Sequence, residues 1–61
     1  MDTIKAINII EGIETQATKD EFLGAFQYLI DTGMCWQLQG WYGRTAMQLI
    51  ENGLCQPSEN K

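Results

Sequence analysis

The chain has 61 residues, 44% of them hydrophobic, and eight acidic side chains against four basic ones leave a net charge of −4. A domain this small buries only about 60% of the surface its unfolded chain exposes, so it needs a staple: disulfides, a metal, exceptional packing or a second copy. With no histidine and only Cys35 and Cys55 as thiols, a four-ligand zinc centre is excluded, and the acidic balance opposes a phosphate-binding surface.

Ile4, Ile7 and Ile10 recur at helical spacing, and Ala6, Ile9 and Ile13 widen the stripe. This predicts a helix over about 3–11, capped by Asp2 or Thr3 and stopped at Gly12. The β-branched content also permits a strand. The stripe is either core or dimer seam. Ile9, off its main line, favours the seam, a homodimer interface of Ile4, Ile7, Ile9 and Ile10. Glu14 to Ala17 reads as a connection.

Thr18-Lys19-Asp20-Glu21 is a capping box, and it opens a helix over 19–32. Asp20 and Glu21 suit the positive end of that helix. Phe22, Ala25, Phe26, Leu29 and Ile30 share one apolar face, and Gly33 stops the helix in a left-handed cap. A short helix over 34–39 follows, with Met34, Cys35 and, further on, Met47 as adaptable core filler. Gly40 and Gly43 read as a glycine turn before a last helix over 42–52, whose inner face is Tyr42, Ala46, Leu49 and Ile50. Gly53 is its stop, with Leu54 folding back. Residues 1–55 form one domain and 56–61, with Pro57, a flexible tail. The fold class is all-α, a bundle of three to four helices, dimeric by the size argument above.

The chemistry of catalysis is thin. The commonest general base is absent, and a thiol nucleophile would need an activating base or cation that Arg44 supplies only in part. Glu11, Glu14, Asp20 and Glu21 sit where capping and solvation explain them. Gly40 and Gly43 lack the lysine of a phosphate-cradling loop. The reading is a non-enzyme with no cofactor and no metal, its cysteines reduced and buried. No apolar window reaches the ~18 residues of a membrane span, and no secretory signal is legible. A soluble cytoplasmic protein is expected.

The stretch WQLQGWYGRTA, Trp36 to Ala46, concentrates the aromatics. In one reading Trp36, Leu38 and Tyr42 fill the space between the long helices, and Arg44 caps carbonyls or pairs with Asp31. In the other, Trp36 and Trp41, five apart, do not share a helical face, so one points outward. Trp41 is expected to be that one, with Gln37, Gln39 and Arg44 as polar neighbours and Trp36 in the same partner-binding surface.

The run Asp31-Thr32-Gly33, then Trp36-x-Leu38-Gln39-Gly40-x-Tyr42-Gly43-Arg44-x-Ala46, then Leu49-Ile50-x-x-Gly53 resembles a pattern in small proteins of tailed bacteriophages. The resemblance covers roughly the second half of the chain. It implies a phage genome and expression in the host cytoplasm, and it brings no catalytic or binding residues with it. Small phage proteins without enzymatic equipment often bind a host protein and block it, in transcription, replication or defence. The leading expectation is therefore a binding protein that inhibits or modulates a host bacterial protein. The alternatives are a small helix-turn-helix-like DNA-binding regulator, which the acidic charge opposes, and a structural or accessory phage component.

Overall fold

Backbone satisfaction sets the helix boundaries. The computed structural model describes residues 1–12 and 18–58. Ile13, the expected connection from Glu14 to Ala17, and the end of the expected tail from Glu59 to Lys61 lie outside the described residues. Helix α1 spans Thr3–Ile10. Asp2 caps it, its Oδ1 accepting from the Lys5 N–H at 2.8 Å. Helix α2 spans Lys19–Thr32. Both bonds of the capping box are made: the Glu21 N–H donates to Thr18 Oγ1 at 3.1 Å and the Thr18 N–H donates to Glu21 Oε1 at 2.8 Å. The chain leaves α1 at Gly12, α2 at Gly33 and α3, the last helix, at Gly53, and each of these glycines has a φ between 75° and 82°. A side chain there would meet its own backbone, which is why these three stops were readable in advance.

The expected short helix over 34–39 contracts to a single 3₁₀ turn, Met34–Trp36. The last helix, α3, spans Gly40–Glu51 and starts earlier than expected. Gly40 and Gly43 are therefore helical and do not form a turn. The redirection falls on Gln39, whose backbone is extended at φ −59° and ψ 152°, and whose carbonyl accepts from the Tyr42 N–H at 2.9 Å. At the far end the Gly53 N–H donates to the Ile50 carbonyl at 3.1 Å and the Leu54 N–H to the Leu49 carbonyl at 2.9 Å. These are the paired bonds of a Schellman stop. Leu54 itself stays exposed, and the side chain that turns inward is the next one, Cys55.

The described residues thus hold three α-helices, one 3₁₀ turn and no strand. The core takes Ala6 and Ile9 from α1, Ala25, Phe26, Leu29 and Ile30 from α2, Cys35 from the 3₁₀ turn, Tyr42 and Ala46 from α3, and Cys55. Three fully covered alanines, Ala6, Ala25 and Ala46, let the helix backbones approach around the Phe26 ring. Phe26 lies 5.3 Å from Phe22 and 6.2 Å from Tyr42 between ring centroids, in tilted contacts that aromatic pairs favour.

Two expectations about α1 and the thioether and thiol filler change. Ile9 is only 5% exposed and belongs to the core of its own chain, so it does not serve a seam; Ile4, at 72%, faces outward. Ile7 and Ile10 are half-buried, Ile10 against the core. The physical reason is Ala6: turning the Ala6–Ile9 side inward lets α1 lie closer on α2 than an isoleucine ridge would. Met34 and Cys35 fill the core region as expected, but Met47 is exposed. Cys35 and Cys55 are both free and buried. Burial pushes the Cys35 thiol up to about 11, and burial, then the negative charge of Asp31, push Cys55 up.

Tyr42 ties the ends together. Its hydroxyl donates to Glu11 Oε2 just past α1, at 2.5 Å. Burial first, then the hydrogen bond and the charge of Glu11, raise its pKa from 10.0 to about 12. A phenol that holds its proton more tightly when folded contributes stability that is complete below pH 10 and lost as pH rises through 12. Replacing Tyr42 with phenylalanine should cost about 1–2 kcal/mol at neutral pH. It should also flatten the alkaline fall in stability between pH 10 and 12. Urea titrations of both proteins at pH 7 and across that range measure the two effects; an unchanged alkaline slope would remove the Tyr42 hydroxyl from the account.

Candidate functional site at Trp36

The glycine at Gly33 turns the chain sharply out of α2, and the 3₁₀ turn that follows carries Trp36 to the surface. Thr32 braces this corner: its hydroxyl donates to the Tyr28 carbonyl at 3.0 Å and accepts from the Met34 N–H at 3.4 Å. The Trp36 N–H donates to the Gly33 carbonyl at 3.3 Å. Its indole then lies across α3 at Gly43. A Cβ on Gly43 would stand 3.3 Å from Trp36 Cε3 and 3.6 Å from Cζ3, so a larger residue at this helical position would press on the indole. Gly24, inside α2, has nothing within 4 Å of such a Cβ and carries no comparable constraint.

Trp36 remains 49% exposed. This reverses the expectation for the pair. Trp41, expected to be the exposed tryptophan, is half-buried and stacked on Tyr42 at 4.0 Å between ring centroids. It packs against the core. Because α3 starts at Gly40 rather than Tyr42, Trp41 lies within the helix beside Tyr42, while Trp36 precedes the helix and is free to project. Of the core set proposed for this stretch, Tyr42 is buried and Leu38 is packed against the core, but Trp36 is not part of it.

Trp36 forms one wall of an open groove of about 320 Å³. The rest of its lining is Ile30, Asp31, Thr32, Gly33, Pro57 and Ser58. The residues from Gln56 onward were expected to fray. Through Ser58 they are held instead: Gln27 Nε2 donates to the Gln56 carbonyl at 2.9 Å, and the Gln56 N–H donates to Gln27 Oε1 at 2.7 Å. One glutamine amide thus replaces a strand neighbour for the Gln56 backbone. The same Nε2 donates to Asp31 Oδ1 at 3.0 Å, and Ser58 Oγ donates to the Asp31 carbonyl at 3.5 Å. The clamp holds Pro57 and Ser58 in the same groove lining as Trp36.

The other residues expected to bind a partner are exposed but lie outside the groove lining. Gln37 follows Trp36 directly, and Gln39 is the N-cap of α3 without a side-chain bond. Arg44 reaches back along α3, its Nη1 3.3 Å from where a Cβ on Gly40 would stand. Asp31, proposed as its partner, is engaged by Gln27. The sequence reading missed Asp31, Thr32, Gly33, Pro57 and Ser58 as lining residues. Only Asp31-Thr32-Gly33 had drawn notice in the sequence, through the stop at Gly33. Among the described residues, no group of three or more His, Cys, Asp or Glu side chains converges to hold a metal, and no helix is long and apolar enough to cross a membrane.

Fold and site together define, among the described residues, a small helical domain with a tryptophan-lined surface groove. The chain belongs to the family described as Domain of unknown function (DUF7417), whose model matches residues 1–60. No curated protein and no solved structure matches it.

The Gln27 clamp makes the groove testable apart from the helices. Gln27→Ala should detach residues 56–58 and speed amide exchange at Gln56 by about tenfold, as expected for the loss of roughly 1–1.5 kcal/mol of hydrogen bonding. The helical circular dichroism should not change. Protection at Gln56 that survives the substitution would show that the wall is held by something other than the clamp.

Proposed function

We propose that this protein acts by binding another protein through the groove at Trp36, and that in a phage setting the partner is a host bacterial protein whose activity it inhibits or modulates. The observation that carries the reading is a large aromatic, half exposed, seated on a glycine and bordering a groove. Tryptophan is the residue type most enriched among side chains that dominate binding energy. Gln37 and Gln39, exposed beside it, offer hydrogen bonds without the cost of stripping water from a charge. The phage setting rests on the sequence pattern alone.

A DNA-reading role for α3 finds less support. The helix has one basic residue, Arg44, which is turned toward Gly40, and phosphate contacts by lysine and arginine supply most of the affinity in such complexes. Self-association belongs to a different surface. With Ile9 turned inward, Ile4 and the half-buried Ile7 are what α1 offers to a second copy, next to an exposed Met1.

Affinity capture of the tagged protein from bacterial lysate, with native mass measured on the same preparation, tests both parts. Trp36→Ala should weaken capture of a specific partner by roughly thirtyfold, the loss expected at a binding hot spot. Ile4→Glu should convert any dimer to monomer without affecting capture. Equal capture by the Trp36 variant would reject the groove as the binding site.

A further inference from the structure

We infer that the groove receives an arginine side chain of the partner, held between the Trp36 indole and the Asp31 carboxylate. The inference rests on the binding role proposed above and names the chemistry of what is bound.

Three features of the groove point the same way. Asp31 is exposed and lines the groove, with Oδ1 taken by Gln27 and no hydrogen bond to Oδ2 among the described residues. The groove also sits at the C-terminal end of α2, where the helix dipole is negative, and the last turn of α2 has no basic residue to offset it. The third feature is the indole. Its ring borders the groove and is half exposed, and the face of an indole attracts a cation more strongly than that of any other side chain. An apolar or anionic occupant would strip water from Asp31 and from the end of α2 without replacing those interactions. A cation satisfies both. Arginine fits better than lysine because its planar guanidinium stacks on an aromatic face while its N–H groups donate to a carboxylate. The chain as a whole, with eight acidic groups to four basic, would draw a basic partner surface. The nearest cation along α3, Arg44, is turned over Gly40.

The experiment is two-dimensional NMR of the full chain titrated into the millimolar range with a short capped peptide holding one arginine between serines. The control is the same peptide with citrulline, which keeps the shape and loses the charge. The arginine peptide should move the indole Nε1–H of Trp36 and the amides of Thr32, Gly33 and Ser58, and leave the indole of Trp41 in place. Citrulline should leave all of them unmoved. Asp31→Asn keeps an acceptor for Gln27 and should weaken arginine binding about two- to fivefold, the worth of an exposed ion pair. Shifts of equal size with citrulline, shifts that fall away from the groove, or none at all would overturn the inference. The two readings fail separately. A Trp36→Ala chain that loses its bacterial partner, together with equal binding of both peptides, keeps the groove and rejects the arginine. A Trp36→Ala chain that keeps its partner, while the parent chain selects the arginine peptide, rejects the functional reading and leaves the arginine site standing.

Discussion

Tyr42 is the point through which the three helices are joined. Its hydroxyl reaches Glu11 beyond the end of α1, its ring meets Phe26 of α2, and it is itself part of α3. Such a residue fixes rotation as well as distance. With Tyr42 turned inward, α3 has no freedom to roll about its axis. Its neighbour Gly43 then comes to rest against Trp36, and Ala46, one turn on, is sealed in the core. The stacked contact with Trp41 adds bulk on the same side. In a domain that buries so little surface, one aromatic serving three elements does the work that a second layer does in larger proteins.

The groove follows from that rotation. Phe26, Tyr42 and Leu29 occupy the core, and Trp36 is not part of it. The 3₁₀ turn therefore delivers the indole to the surface, and Gly43 gives it a seat there. Opposite, Cys55 turns inward and its Sγ approaches the Leu23 carbonyl at 3.6 Å. This draws the following residues back along α2, where Gln27 holds the Gln56 backbone from both sides. Both walls of the candidate site are thus consequences of packing: one from an aromatic that the core rejects, the other from a buried thiol that pulls the chain home. The thiols themselves, raised by burial, stay protonated at neutral pH, which fits a packing role.

The binding role proposed for the groove and any self-association through α1 would use different residues. The groove lies at the C-terminal end of α2, whereas the exposed Ile4 belongs to the start of α1.

Local chemistry was legible in the sequence. The Asp2 cap, the Thr18–Glu21 box, and the stops at Gly12, Gly33 and Gly53 each depend on residues within a turn of one another, so they can be read from spacing alone. The all-helical class and the inner face of α2 followed from the same periodicity. What the tertiary structure decided were choices between faces of equal apolar content and contacts between distant residues. α1 has isoleucine on more than one side, and only packing on α2 selects Ile9 over Ile4. Two tryptophans of equal hydrophobicity competed for one interior, and the start of α3 at Gly40 settled it for Trp41 by placing that residue beside Tyr42 within the helix. The Gln27 clamp and the Tyr42–Glu11 bond join residues 29 and 31 apart. Periodicity carries no information across such gaps, because it records only which side of an element is apolar and never which other element will come to meet it.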